Sequence, residues 1–367
     1  MKKTGVLAAV LVLMSSIVFS GLEKPKDSWN LLRDMIGIHG VSGCEELVAD
    51  YLQKNLPSGL DVRRDDMHNV WFTVGEGAPH LMFVAHTDEL GLVVTGITDR
   101  GRLTVEGKGG FFPAIYEGQP VVIRTDTGLV NGIVEPRKGY FQRPVQKAAP
   151  GFDAFFVYVG AHSAEEAEEI GIRTGDSITI QKTLVDLGEN LLCARAVDDR
   201  AGCASLLAAA MAIEWQAVKG KTITFAWDVQ EETGLYGARR LAQSIHPDYI
   251  FPVDTFVSSE GPFDDKRFAL TPLGKGLVIR AIDSSNLAPA HEVKKIIRLA
   301  EQRGIPHQLG NTRGGNDGSV FVAGGAVNIP LSWPGTYSHS FIEKINRLDL
   351  EALTGLLIAI VEEFSGR

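Results

Sequence analysis

The chain has 367 residues, with 36 Lys+Arg against 45 Asp+Glu, for a net charge of −9. That length predicts two domains or one domain carrying a large insertion, and 44% apolar with 22% charged residues excludes a disordered chain. The acidic balance lacks the basic block that a nonspecific nucleic-acid binder needs, and Cys44, Cys193 and Cys203 form neither a C-x-x-C motif nor a closed disulfide framework.

At the N-terminus, Lys2 and Lys3 precede an apolar stretch from Val6 to Phe19, and Val18-Phe19-Ser20 supplies a small-residue cleavage signature. This predicts a signal peptide over residues 1–20 and a secreted or periplasmic protein, with an uncleaved anchor as the weaker alternative. No other membrane contact is expected. From Ser28 to Leu56 apolar residues fall at helical spacing around a break at Gly40–Gly43. Ser42 followed by Glu45 reads as a capping box for the second helix. Strands are expected at Val70–Val74 and Leu81–Ala85. Between about Thr95 and Leu187 short β-like runs recur (RLTVEG, QPVVIRT, GLVNGIVE, AFFVYVGA, SITIQKT), interrupted only by the helical SAEEAEEIGI. Such spacing predicts a small β barrel or sandwich. Beyond Cys193 the pattern predicts a helix over Ala201–Trp215, strands over Lys221–Val229 and Tyr249–Val253, a helix over Ala290–Arg303, a strand over Val327–Leu331 and a helix over Leu348–Phe364. This alternation defines an α/β fold: a mostly parallel sheet with helices on both faces, built from both ends of the chain and carrying a β-rich insert.

Open α/β sheets bind ligands just beyond the carboxyl ends of their strands. His86 follows the Leu81–Ala85 strand, and Glu231-Glu232 follow Lys221–Val229. Asp254 follows Tyr249–Val253, His339 lies past the Pro334-Gly335 turn, and Asp198-Asp199 precede the helix at Ala201. Each has an ordinary reading alone. Asp198-Asp199 can simply face a helix N-terminus, Glu231-Glu232 can be a solvated pair, Glu260 competes with Asp254, and His291 and His307 compete with His339. Together, His86, Asp198, Glu232, Asp254 and His339 suit two divalent ions with three ligands each and one shared. Glu231 is then the spare carboxylate placed to act as general base on a water bridging the pair. Asp88 is placed to orient the other nitrogen of His86. The run Gly314-Gly315-Asn316-Asp317-Gly318 lacks the Lys-Ser/Thr ending of a phosphate loop and reads as a tight turn or a backbone wall beside a substrate.

The segments AHTDELG (85–91), VDDRAG (197–202), QEETGLYGAR (230–239), VDT (253–255), GGNDGS (314–319) and YSHS (337–340) resemble the glutamyl aminopeptidase and tetrahedral aminopeptidase family of dinuclear metallopeptidases, some of whose members carry old endoglucanase labels. The likeness runs from about Trp29 onward. It implies His86, Asp198 and Asp254 on one metal, Asp198, Glu232 and His339 on the other, a bridging Asp198, a cis Asp198–Asp199 bond, Glu231 as base and Asp88 supporting His86. It implies two zinc or cobalt ions per subunit, short peptide substrates, and a dimer-based homo-oligomer, commonly a dodecamer. The run YVGAHSAEEAEEIGIRTGDSI (158–178) resembles the family's dimerisation domain, a small PDZ-like β barrel. The implied organisation is residues 21–94 and 189–367 as two parts of the catalytic domain and 95–188 as the dimerisation insert. Thr336 stands where the family commonly has Arg, and Asn316 where it has Thr. The alternatives to an aminopeptidase are a dinuclear deacylase of N-acyl amino acids and a catalytically silent, exported oligomeric binding protein.

Overall fold

A computed structural model describes residues 27–139, 151–261 and 270–364; the expected signal peptide lies outside them. The apolar run at His80–His86 becomes a strand buried at every position after the first. Near-continuous apolar strands are what a sheet covered on both faces requires. Alternate side chains serve the two faces. Leu81, Phe83 and Ala85 join the larger core with helices Ser28–Ile36, Val197–Ala212 and Arg347–Phe364. Met82 and Val84 join a smaller core with Ala238 and Leu241 of helix Tyr236–Leu241.

Strand Thr222–Asp228 runs parallel to His80–His86 on one side, and Tyr249–Val257 runs parallel on the other. Leu331–Thr336 continues the parallel run beyond Tyr249–Val257. Antiparallel strands flank this centre: Val70–Val74 beside Thr222–Asp228, and Glu343–Asn346 then Leu191–Ala194 beyond Leu331–Thr336. With Leu277–Ile282 and His307–Asn311, the described residues form a twelve-stranded mixed sheet. No helix among them is long and apolar enough to cross a membrane.

Several local expectations change: Pro334 and Gly335 lie within strand Leu331–Thr336, paired with Phe256 and Val257, rather than in a turn before His339. Strand Tyr249–Val257 runs past Val253, so Asp254 lies within it rather than after it. The capping box does not form: helix Glu46–Asn55 has no side-chain cap. The Ser42 hydroxyl instead donates to the buried Asp88 carboxylate at 2.5 Å, a charged and therefore stronger acceptor. Glu45 turns to accept the backbone N–H groups of Gly43 and Gln230.

Between the two sheet segments the chain builds a closed six-stranded antiparallel barrel. Its strand order is Gly91–Ile97, Arg102–Lys108, Val157–Tyr158, Gly128–Val134, Pro120–Thr125, Ser177–Ile180. Leu92, Val94, Leu103, Val105, Ile123 and Ile178 fill it.

Glu89 joins barrel and sheet. It is fully buried, 2.5 Å from Lys182 Nζ and 3.6 Å from Arg200 Nη2, and it accepts from Thr179 of the barrel and from the Gly40 backbone. Burial pushes its carboxyl up, but Lys182 and Arg200 override this and hold it at about 2. Unfolded, it titrates near about 4.3. Its contribution to stability is therefore complete above about pH 4.3 and is lost as pH falls toward 2. Glu89→Gln strands two buried cations, and we expect it to lower unfolding stability by about 3–5 kcal/mol. Denaturant melts at pH 7 check this, and the variant's stability deficit should shrink in acid.

Candidate metal centre

The carboxyl ends of the parallel strands converge on one spot. His86 closes its strand, and Asp254 lies one residue beyond the Val253↔Ala85 pairing in the neighbouring strand. Glu231 and Glu232 occupy the turn after Thr222–Asp228. His339 lies in the loop after Leu331–Thr336. Asp198 sits in non-helical backbone at the head of helix Val197–Ala212, joined to Asp199 by a cis peptide bond. Ala196, Gln230, Tyr337 and His339 all have left-handed φ values between 56° and 65°. Such conformations cost about 1–3 kcal/mol each in non-glycine residues and persist where surrounding contacts impose them.

Two groups of potential ligands form: His86, Asp198 and Asp254, and Asp198, Glu232 and His339, with ligand atoms within 4.8 Å of one another. His86 Nε2 is 3.5 Å from Asp198 Oδ1. His339 Nε2 is 3.8 Å from Asp198 Oδ2 and 3.6 Å from Glu232 Oε2. Ligand bonds of 2.0–2.2 Å at tetrahedral angles separate ligand atoms by about 3.4 Å, so these gaps suit a shared cation better than direct hydrogen bonds. Asp198 presents one oxygen to each group, and its buried Oδ1 has no hydrogen-bond partner. The donor set therefore fits divalent metal. The rival candidates lie elsewhere. His291 is exposed beside Glu292, His307 contacts the Ile305 carbonyl, and Glu260 accepts from the Leu273 backbone.

A second layer of groups holds the ligands. Asp88 Oδ1 lies 3.4 Å from His86 Nδ1, and the same carboxylate accepts the backbone N–H groups of Glu231 and Glu232 at 2.9 and 3.2 Å. Glu343 does the matching work opposite, accepting the N–H groups of Asp198 and His339 at 3.0 and 3.2 Å. His339 Nδ1 donates to the Gly110 carbonyl at 2.6 Å, which fixes the proton on Nδ1 and leaves the Nε2 lone pair facing Glu232. Arg280 lies 3.5 Å from Asp254 Oδ2. Ser42, Gly110, Arg280 and Glu343 were not foreseen as site residues, because nothing in their local sequence marks a partner so distant along the chain.

Burial raises Glu231 and Glu232 well above the usual carboxylate range, with His86 opposing and neighbouring carboxylates adding to the rise. Burial likewise lifts Asp254 to about 6, against Arg280, and Glu343 to about 7, against Arg195. On His86, burial disfavours charge, but Asp198 and Asp88 prevail and raise it. An excess of buried carboxylates over cations is the electrostatic demand that divalent metal meets.

The centre opens into a cavity of about 550 Å³ that includes Glu231, Arg280, Gly314, Gly315 and Tyr337 in its lining. The glycine-rich run is thus a backbone wall. Asn316 is buried behind it, bonded to Asp283 and Asn328. Thr336 is buried at the end of its strand, with Tyr337 next to it on the cavity wall.

A mixed sheet with carboxylates and imidazoles converging at its strand ends defines the class of metal-dependent α/β hydrolases. The profile of the M42 glutamyl aminopeptidase family matches residues 69–356, and the chain belongs to this family of aminopeptidases. It is 30% identical to the lysyl aminopeptidase of Pyrococcus furiosus, over 91% of this chain and 97% of that one. It is 29% identical to the glutamyl aminopeptidase of Lactococcus lactis subsp. cremoris, over 88% and 93%. The Pyrococcus horikoshii TET1 peptidase superposes with a TM-score of 0.85 at 32% identity, over 91% and 99%. The likeness to TET aminopeptidases, a mostly cytosolic group, corrects the expectation of a secreted or periplasmic protein.

Glu343→Gln replaces an all-acceptor carboxylate with an amide that can meet only one of the two N–H groups as acceptor. We expect metal affinity to fall about 10–100-fold, measured by chelator competition, with the melting transition retained.

Proposed function

We propose that the chain hydrolyses the N-terminal peptide bond of short peptides, with two divalent ions, zinc or cobalt, held by His86, Asp198 and Asp254 and by Asp198, Glu232 and His339. The observation that carries this reading is the Asp198 carboxylate, whose two oxygens face different ligand groups. Bound there, the ions would supply Lewis acidity and a nucleophilic water at neutral pH. His and carboxylate donors accept either metal.

Glu231 is the base. It lines the cavity yet belongs to neither ligand group, and its backbone is pinned by Asp88. A carboxylate raised by burial is a stronger base toward water than an ordinary one, and once protonated it can pass the proton to the leaving amine. Asp88 positions His86, and Glu343 positions Asp198 and His339.

We assign residues 95–188 to subunit pairing and the whole chain to a homo-oligomer. Related assemblies support this: one TET1 structure is a dodecamer, and the Pyrococcus horikoshii TET1 peptidase can assemble into a tetrahedron or a large octahedral shell.

Glu231→Gln should keep both ions by elemental analysis while turnover of an aminoacyl anilide falls about 10²–10⁴-fold. Near-normal turnover would remove Glu231 from the role of base. Chelation should abolish cleavage and added zinc or cobalt restore it. An N-acetylated anilide should resist the enzyme; its hydrolysis would point to a deacylase instead.

A further inference from the structure

We propose that this aminopeptidase prefers peptides with an apolar, uncharged N-terminal side chain, an inference that rests on the function proposed above and names its substrate class. The family's name and one relative's point to glutamyl residues, and another relative's to lysyl. The cavity of this chain suits neither. Among the described residues, every carboxylate and imidazole lining it belongs to the metal centre or is Glu231, and the one further charge is Arg280. Arg280 is already paired. Its Nε donates to Ser332, Nη1 to the Gly315 carbonyl at 2.9 Å, and Nη2 to the Thr255 carbonyl, with Asp283 and Asp254 alongside. Its side chain is 1% exposed. Among the described lining residues, a substrate carboxylate would meet no unpaired cation, and a substrate ammonium would meet no uncommitted anion.

The remaining large side chains on the wall are Phe111, Phe112, Ile115, Val257 and Tyr337. Phe112 is 78% exposed, Val257 46% and Tyr337 41%. Apolar surface held open beside a polar centre is surface that a ligand can cover. The wall is also rigid. Gly110, one residue before Phe111, is tied to His339 through its carbonyl. The Phe111 ring packs on Tyr116 and edge-on against Phe152. Phe111 is therefore presented without ordering on binding. A charged side chain placed there loses water and gains no partner.

The test uses the metal-loaded enzyme and 4-nitroanilides of Leu, Phe, Glu and Lys. We expect kcat/KM for Leu or Phe at least about tenfold above that for Glu and Lys, in the range one apolar pocket can discriminate. Calorimetric binding of free leucine and free glutamate should show the same order. Phe112→Lys changes an exposed residue, so the fold is retained. It should lower the Leu:Glu ratio about tenfold or more. Cleavage of Glu or Lys anilide as fast as Leu, or an unchanged ratio in the variant, overturns the inference and leaves the aminopeptidase reading standing. Failure to cleave any free-amine anilide overturns both.

Discussion

Carboxylates crowded together out of water are the constraint around which this molecule is built. Asp88, Asp198, Glu232 and Glu343 are all essentially buried at the carboxyl ends of the central strands, with Glu231 and Asp254 beside them. Two of the six face backbone N–H groups rather than the centre. Asp88 and Glu343 each hold a pair of amides belonging to the residues that surround the metal positions. The candidate ligands are thus fixed through their backbones, from opposite sides, by groups outside both ligand clusters. What stays unbalanced is the charge of the candidate ligand set itself, an imbalance that divalent cations would meet.

The barrel takes part in this arrangement. It leaves the sheet just after His86, and two of the connections it sends back bear on the site. One is the Gly110 carbonyl, which sets the tautomer of His339. The other is Lys182, which follows the last barrel strand and neutralises Glu89 three residues after His86. An insert that only decorated the surface would need neither contact. The same segment that carries Gly110 carries Phe111 and Phe112, so the element that fixes a ligand imidazole also shapes the space where a substrate side chain would lie.

Much of this was legible in one dimension. The run at residues 81–85, the neighbouring one at 221–229 and the closing helix were readable because burial imposes periods of two and 3.6 on apolar residues. His86, Asp198, Glu231, Glu232, Asp254 and His339 stood out because strand ends are where an α/β sheet places polar groups. Other signals misled. Ser42 and Glu45 matched a capping box, yet a buried carboxylate 46 positions away claimed the hydroxyl. Strands Leu277–Ile282, His307–Asn311 and Glu343–Asn346, on the flank beyond the central parallel run, are short and carry polar residues, so their pairing was invisible until their neighbours were in place.

Alone, the order of residues determined which segments could be strands or helices, that a β-rich unit interrupts an α/β one, and which side chains had the chemistry to hold metal. Those properties are written in nearest neighbours and short periods. Only the tertiary structure decided which carboxylate faces both ligand groups, that Arg280 is paired with Ser332, Gly315 and Thr255, and that His339 is held by a carbonyl 229 residues earlier in the chain. Hydrogen bonds and charge balance depend on distances of a few ångströms in space, and across such separations the local pattern carries no record of them.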